Sequence, residues 1–162
     1  MSLIAYVNGR YVLQKDASIN IEDRGYQFSD GVYEVAAICD GKIIDEGGHL
    51  KRLKKSLEEL RICLPIKEKP LKVIFREVIR RNRISNGILY LQITRGVAKL
   101  DHPFPKENTK PVLDLTARST PRRQIGEEGA RVVTTLDIRW LRRDIKSISL
   151  LPNICLLYTS DA

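Results

Sequence analysis

The sequence predicts an α+β fold, in which an antiparallel sheet packs against two helices and is followed by the first strands of a second domain. Two pairs of short apolar runs are joined by Asn-Gly or Asp-Gly, the dipeptides most typical of tight β-hairpins. Two later stretches repeat apolar residues at helical spacing, and two apolar runs of strand length come after them. Together these patterns indicate a small mixed domain.

Two hairpins are expected near the N-terminus. The first spans residues 3–13 and turns at Asn8-Gly9, where both residues tolerate a positive φ. The second has a strand over about 32–39, a turn at Asp40-Gly41 and a return strand through 43–44.

The helices and the remaining strands follow in order. Helices are predicted over about 49–62 and about 70–82, the second with Pro70 in its first turn, where proline is well tolerated. Buried strands are predicted over 88–95 and 111–119. A long Pro-rich loop joins these two strands, and loops of that length inside compact domains are often functional.

A polar break at 118–130, rich in charge and glycine, predicts a domain boundary. We therefore expect a small α/β domain over 1–120, and a linker with the start of a cofactor-binding domain over 121–153. Because a core of about 40 residues is too small to be stable alone, this second part either adds to the first domain or is incomplete. Residues 154–162 show no helical repeat and are expected to be a non-native tail.

The overall composition is that of an ordinary globular protein, with 43% hydrophobic and 30% charged residues. No run approaches the roughly 18 apolar residues of a membrane span, and the N-terminus lacks a signal-peptide pattern. We expect a cytoplasmic location and no membrane partner. Three widely spaced cysteines and two histidines predict no metal site and no disulfide framework.

A net charge of +8 raises the alternative of a basic module that binds polyanions. The lysines and arginines, however, flank the apolar stripes of the predicted helices, as on solvated outer faces. Aromatic residues do not interleave with these charges as base-stacking platforms would require. We therefore expect no nucleic-acid partner, and the binding module remains the alternative from another class.

Lys146 has an unusual place in the sequence, within an apolar run that predicts a strand and just after Arg142 and Arg143. Burying an unpaired ammonium is costly unless it loses its proton. The residue is therefore either a surface lysine whose side chain reaches water, or a reactive amine. In the second case apolar surroundings and neighbouring cations are expected to lower its pKa.

Five segments carry a resemblance to a known family. They are "DRGYQFSDGVYEV" (23–35), "HLKRL" (49–53), "LQITRG" (91–96), "DHPFP" (101–105) and "DIRWLRRDIKS" (137–147). In order and spacing the chain resembles the fold-type IV pyridoxal-phosphate enzymes over about residues 1–153. It is most similar to the D-amino-acid aminotransferases, with branched-chain aminotransferases and aminodeoxychorismate lyases as more distant relatives.

The resemblance implies pyridoxal 5'-phosphate as cofactor and a role in holding it for three residues. Lys146 matches the lysine that bonds covalently to the cofactor and then carries a proton between the substrate α-carbon and the cofactor C4′. Arg52 matches an arginine that grips the phosphate, a task suited to the guanidinium fork. His49 matches a histidine near that phosphate. The alternatives are a solvated helix face for Arg52 and an ordinary histidine at a helix N-terminus for His49.

The resemblance also implies substrate-binding residues. Tyr33 matches a tyrosine whose hydroxyl helps hold the substrate carboxylate, with a packed strand aromatic as the alternative. Glu34 receives no role. His102 matches a loop histidine that reaches the carboxylate from the partner subunit of a homodimer. The family's arginine two residues earlier is replaced here by Leu100, which cannot donate, and Lys99 is the candidate to supply the charge.

The function implied is transamination between a D-amino acid and a 2-oxo acid. An elimination of the aminodeoxychorismate-lyase type and a branched-chain aminotransferase activity are the alternatives. The family's glutamate that pairs with the pyridine nitrogen, and its phosphate-binding turns, would follow residue 153. We therefore expect the 162-residue chain to be incomplete and inactive by itself.

Overall fold

A computed structural model describes residues 3–105, 109–120, 132–134, 136–137 and 139–158. The strands of the described chain form one antiparallel sheet in the order β2-β1-β6-β5-β3-β4. They are β1 (Ile4–Val7), β2 (Arg10–Leu13), β3 (Gly31–Cys39), β4 (Lys42–Ile43), β5 (Gly87–Thr94) and β6 (Val112–Ser119). The helices are α1 (Arg24–Phe28), α2 (Glu46–Glu59), α3 (Glu68–Arg81) and α4 (Leu151–Tyr158), with a 3-10 turn at Gln14–Asp16.

Both predicted hairpins are confirmed. The turn residues Asn8 and Gly9 have φ of 45° and 90°, and Asp40 and Gly41 have φ of 47° and 72°. Two successive positive φ angles match the right-handed twist of the flanking strands, which is why Asn-Gly and Asp-Gly are favoured there.

The two predicted helices are also confirmed, but each begins earlier than the apolar stripe suggested. Helix α2 starts at Glu46 because Asp45 caps it, its carboxylate accepting from the Gly48 amide at 3.2 Å. Helix α3 starts at Glu68, which still leaves Pro70 in the first turn. His49 therefore lies inside α2 and not at its start.

The sheet has two unlike faces because side chains alternate along each strand. The face toward α2 and α3 is apolar, and Leu53, Leu71, Leu91 and Leu115 are almost completely buried in this core. The opposite face of the central strands carries the more polar set Tyr33, Tyr90, Gln92 and Asp114. Consecutive side chains of β3 therefore lie on opposite faces of the sheet.

The strand predicted around Lys146 is wrong. Within 139–150 the structure has one isolated bridge, between Ser147 and Val32, and no continuous strand. This short contact nevertheless docks the segment onto the edge of β3, where the Ile148 amide donates to the Gly31 carbonyl at 3.1 Å. Ile145 is only 5% exposed and joins the core.

The remaining predictions for the C-terminal part can be checked only at the residues that the structure describes. Residues 121–131, at the predicted domain boundary, lie outside the described residues, so the boundary stays a prediction. Of the neighbouring residues, 132–134 and 136–137 have no regular secondary structure. The expected lack of a helix in the tail is wrong for 154–158, which belong to α4, and 159–162 lie outside the described residues.

Many charges on the outer helical faces are paired. The ion pairs are Lys54–Glu68, Lys72–Glu68, Arg80–Glu77 and Arg81–Glu77. These helices therefore present mixed charges, which are less suited to a polyanion than an uncompensated basic stripe. None of the helices in the described part of the chain is long and apolar enough to cross a bilayer.

Candidate active site

The half-buried side chain of Lys146 lies against the aromatic ring of Tyr33. The lysine Nζ is 4.1 Å from the ring centroid, a distance at which an ammonium is attracted by the face of the ring. Tyr33 in turn stacks on Tyr90, with centroids 5.8 Å apart and ring planes inclined by 24°. Two of the residues singled out in the sequence therefore meet in one place.

The main chain of Lys146 is held from two sides. Its amide donates to the Ser56 Oγ at 3.1 Å, and its carbonyl accepts from the Tyr33 amide at 3.0 Å. Ser56 belongs to α2 and is 1% exposed. Because both backbone groups are bonded, the position of the amine depends mainly on the lysine side chain.

Sequence reasoning missed Ser56, although the sequence carried a signal for it. The residue lies within the leucine stripe of α2, one position before Leu57. A buried hydroxyl in an apolar stripe needs a hydrogen-bond partner. That partner comes from a segment 90 residues further along the chain, which periodicity cannot reveal.

A pocket of about 190 Å³ opens beside Lys146 and Tyr33, bordered also by Trp140, Ser147 and Ser149. Most small-molecule sites enclose roughly 300–1,000 Å³. The pocket formed by the described residues is therefore smaller than a typical small-molecule site and can enclose only part of such a ligand.

Arg142 and Arg143 border the same pocket but are not free cations. Arg142 bonds to Asp144 and to Glu59 of α2, and Arg143 lies 3.0 Å from Asp137. The hydrogen bond from Arg142 holds the pKa of the Asp144 carboxyl below its usual value, against a smaller opposing effect of burial. Nearby carboxylates therefore offset the charges of both arginines.

A second group of predicted residues gathers on the other side of β3. The Arg52 Nε and Nη2 donate to the two oxygens of Glu34 at 2.7 and 2.6 Å, and the His49 Nδ1 is 2.8 Å from the same carboxylate. These bonds, opposed by burial and assisted by the charge of Glu34, raise the pKa of Arg52. Arg52 and His49 thus share one partner, as their spacing of three residues on a helix allows. We call this group the Glu34 cluster.

Glu34 is the second residue whose importance sequence reasoning missed. Its side chain is 5% exposed, whereas those of His49 and Arg52 are 22% and 48% exposed. A glutamate between the apolar residues of β3 is a signal, because a carboxylate is rarely buried without a cation. Naming that cation required knowing that α2 packs on this face.

The remaining predicted residues lie on the loop after β5. Lys99, Leu100 and His102 are all exposed there, and none of them borders the pocket beside Lys146. The His102 ring lies beside Phe28, with centroids 5.6 Å apart. The structure therefore unites Lys146 with Tyr33 and Arg52 with His49, and places the two loop residues elsewhere.

The polar face of the sheet carries a carboxylate without a cation. The Asp114 Oδ1 is buried and has no hydrogen-bond partner among the described residues. Burial, and secondarily the charge of Asp23, raise the pKa of Asp114 from 3.8 to about 7. Burial, with the charges of Asp114 and Tyr33, likewise raises the pKa of Tyr90 to about 12, while the Tyr90 hydroxyl donates to Gln92 at 2.8 Å.

Comparison with known proteins identifies the family of this chain. The model of the amino-transferase class IV family matches residues 31–158. The chain belongs to this family. The resemblance seen in the sequence is confirmed.

Curated relatives agree with this assignment. The D-alanine aminotransferase of Staphylococcus haemolyticus is 41% identical over 150 residues, which cover 92% of this chain and 53% of that protein. The D-alanine aminotransferase of Listeria innocua is 41% identical over 154 residues, covering 91% and 52%. The chain thus spans about half the length of the curated relatives it matches.

Solved structures confirm the mixed fold. The branched-chain amino acid aminotransferase of Escherichia coli superposes with a TM-score of 0.67 at 19% identity, over 79% of this chain and 43% of that one. The 4-amino-4-deoxychorismate lyase of Pseudomonas aeruginosa gives 0.60 at 26% identity, over 72% and 40%. The predicted α+β fold class is confirmed by this likeness.

Proposed function

We propose that this chain carries the reactive lysine of a pyridoxal-phosphate-dependent transamination between a D-amino acid and a 2-oxo acid. The observation that carries the proposal is the placement of Lys146, whose amine lies over Tyr33 while its main chain is bonded to Ser56 and β3. Family membership and the relatives named D-alanine aminotransferase support the reaction class and the amino donor.

The residue types present match the groups that a phosphorylated aromatic aldehyde needs, an amine for the aldehyde and a guanidinium for the phosphate. Lys146 offers an amine beside an aromatic ring, and Arg52 is 48% exposed with two of its three nitrogens on Glu34. Its Nη1 has no partner among the described residues and can donate to a phosphate oxygen. We assign Lys146, Arg52 and His49 to holding the cofactor. When bound, pyridoxal phosphate stabilises negative charge at the substrate α-carbon.

Each side chain has a distinct task in this proposal. With the cofactor bound, the Lys146 amine would accept and return a proton at the substrate α-carbon, and Ser56 would fix the main chain from which that amine extends. The Tyr33 hydroxyl donates a hydrogen bond to the substrate carboxylate. Glu34 keeps the Arg52 fork oriented, which reduces the entropy lost when phosphate binds.

The loop residues complete the proposed substrate site. His102 and Lys99 bind the substrate carboxylate from the partner subunit of a homodimer, consistent with their exposure and their distance from the pocket of their own chain. Leu100 supplies no donor between them. We propose that the carboxylate is held by fewer charges than in relatives with arginine at this position.

Covalent trapping tests the role of Lys146 directly. The chain is incubated with pyridoxal phosphate, reduced with borohydride and mapped by peptide mass spectrometry. We expect a preferential adduct on Lys146 that is lost in Lys146→Ala and retained in the control Lys55→Ala, an exposed lysine of α2. Adducts spread evenly over the lysines would contradict the assignment.

A coupled assay tests the reaction. Because this chain spans about half the length of its relatives, the assay uses the chain extended by the second half of the Staphylococcus haemolyticus D-alanine aminotransferase. With D-alanine and 2-oxoglutarate we expect this fusion to form pyruvate, at a rate that falls by about 100-fold or more in Lys146→Ala, as when a general acid–base is removed. Pyruvate formed from 4-amino-4-deoxychorismate but not from D-alanine would replace transamination by the lyase reaction.

A further inference from the structure

A buried ionic cluster lies where α1, the start of β3 and the end of β5 meet. Asp30 accepts from the Arg24 Nε at 2.8 Å and from the Arg95 Nε and Nη2 at 2.7 and 3.0 Å. The side chains of Arg24, Asp30 and Arg95 are 4%, 9% and 8% exposed. Burial opposes ionisation of Asp30, but the bonds and charges of Arg95 and Arg24 outweigh it and keep its pKa below the usual value. We call this group the Asp30 cluster.

The Asp30 cluster extends to the loop that carries His102. The Arg24 Nη1 donates to the carbonyl of Asp101 at 2.6 Å, and its Nη2 lies 3.4 Å from the carbonyl of His102. The Arg24 guanidinium also lies over the Phe28 ring, the same ring that contacts His102. One buried arginine therefore contacts the main chain of the loop and the aromatic neighbour of its histidine.

Arg95 fixes the other end of the loop and connects it to α2. Its guanidinium lies 4.2 Å from the centroid of Phe104, and it donates to the carbonyls of Leu60 and Arg61 just beyond α2. The loop and the helix that carries Arg52 are thus held by the same ionic cluster.

The energetics favour one position of the loop. A buried guanidinium is strongly penalised when any of its donors lacks an acceptor. Displacing the carbonyls of Asp101 and His102 would remove two acceptors from Arg24, whose side chain is 4% exposed with the loop in place. The cost restrains the loop even though its side chains are exposed.

We propose that Arg24 is the positioning residue for His102, acting through the loop carbonyls while Asp30 and Arg95 hold it in place. The relevance to substrate binding rests on the proposed function, in which His102 binds the substrate carboxylate. The restraint on the loop does not depend on that function. Lysine cannot replace Arg24, because a single ammonium lacks the planar fork that reaches Asp30 and two carbonyls together.

Histidine-selective NMR tests the proposal on the whole chain, which contains two histidines. Parent protein is compared with Arg24→Met, Arg24→Lys and the control Arg76→Met, an exposed arginine of α3. We expect the His102 ring resonances to shift in both Arg24 variants, because the ring leaves the shielding zone of Phe28. His49 should keep its parent resonances throughout, and Arg76→Met should leave both histidines unchanged.

Hydrogen exchange provides the second readout. The amides of 97–102 and of Phe104 should exchange severalfold faster in the Arg24 variants, with those of α3 unchanged. Arg24→Lys retains a positive charge beside Asp30. It therefore allows the test to be carried out if Arg24→Met does not fold. A folded Arg24 variant with parent His102 resonances and parent loop exchange would overturn the proposal.

Kinetics separate the positioning role from the proposed function. For Arg24→Lys we expect the KM for D-alanine to rise by about tenfold while kcat changes by less than about threefold, the pattern of weakened substrate binding. A fall in kcat with unchanged KM would contradict a role in carboxylate binding. These kinetics use the same fusion as the coupled assay. A parent fusion without transaminase activity would refute the proposed function, while the NMR and exchange results on the chain itself would still decide whether Arg24 positions the loop.

Discussion

Two carboxylates four residues apart, Asp30 and Glu34, each bind two basic side chains, but the two clusters differ in access to solvent. The arginines on Asp30 are 4% and 8% exposed, whereas His49 and Arg52 on Glu34 are 22% and 48% exposed. In the Asp30 cluster the remaining arginine donors end on backbone carbonyls. In the Glu34 cluster the side chains of His49 and Arg52 keep a surface that a ligand can reach.

The difference shows how one type of ion pair serves two purposes. In a closed cluster the buried charges have no water to bind, so moving a main-chain carbonyl away from its donor costs free energy. Such a cluster therefore restrains the main chain. An open cluster leaves donors available and uses its carboxylate to orient them. Substitutions that remove one charge at a time should therefore have unequal effects.

The largest effect is expected from Asp30→Asn. The change leaves Arg24 and Arg95 buried without a counter-charge, which typically costs about 3–5 kcal/mol of unfolding free energy. Urea unfolding followed by circular dichroism measures the loss. A loss no greater than that of Glu34→Gln would show that the two clusters are energetically alike.

Asp114, which pairs with no cation among the residues that the structure describes, provides the contrasting case. The prediction concerns the pH dependence of stability. The pKa of Asp114 is raised from 3.8 to about 7 in the folded protein. Between these values the folded state keeps a proton that the unfolded state releases, so the stabilisation is complete below about pH 4 and is lost as pH rises through 7. From pH 5 to pH 8 this group should lower the unfolding free energy by roughly 1–3 kcal/mol.

Asp114→Asn removes this titration. The unfolding free energy of the variant should therefore fall less between pH 5 and pH 8 than that of the parent. Equal pH dependence in the two proteins would show that Asp114 ionises normally in the folded state.

Glu34→Gln should have a smaller effect than Asp30→Asn. The amide keeps one acceptor oxygen, and water can solvate the exposed nitrogens of Arg52, so we expect a loss of about 1.5 kcal/mol. In this variant, labelling of Lys146 should also require a higher concentration of pyridoxal phosphate, because the Arg52 guanidinium is less well oriented. Unchanged affinity in the borohydride trapping assay would remove Arg52 and its carboxylate from the proposed phosphate site.

The smallest change is expected from Ser56→Ala, which removes the acceptor of the Lys146 amide and should cost about 1 kcal/mol. Trapping should be less selective for Lys146, since its main chain is held from one side only. Ser149→Ala alters an exposed serine of the same pocket and is the matched control. A variant that traps the cofactor like the parent would show that β3 alone fixes the lysine.

The sequence predicted the elements whose causes are local. Asn8-Gly9 and Asp40-Gly41 impose their turns whatever lies around them, and the stripe of α2 needs only its own residues. Helix α2 begins earlier than predicted because its cap, Asp45, precedes the first apolar residue of the stripe. The Lys146 segment was predicted as a strand because apolar runs do not reveal whether a partner strand is available.

The site was predictable only in part for the same reason. Arg52 and His49 could be paired from their spacing, and Lys146 and Tyr33 were selected through the family resemblance. Their partners Glu34 and Ser56 required knowledge of how α2 packs against β3. The ionic contacts of Asp30 with Arg95 join residues 65 positions apart, a separation at which no periodic pattern operates.

The alternation of Tyr33 and Glu34 on β3 limits the changes of length that this strand can accept. Inserting or deleting one residue before Tyr33 would turn the tyrosine toward α2 and bring a carboxylate to the lysine. Gly31 leaves little room for such a slip, because a Cβ there would lie 2.7 Å from the carbonyl oxygen of Ile93. Descendants of this sequence can therefore exchange side chains on either face of β3, whereas an odd change of length would disrupt both faces at once.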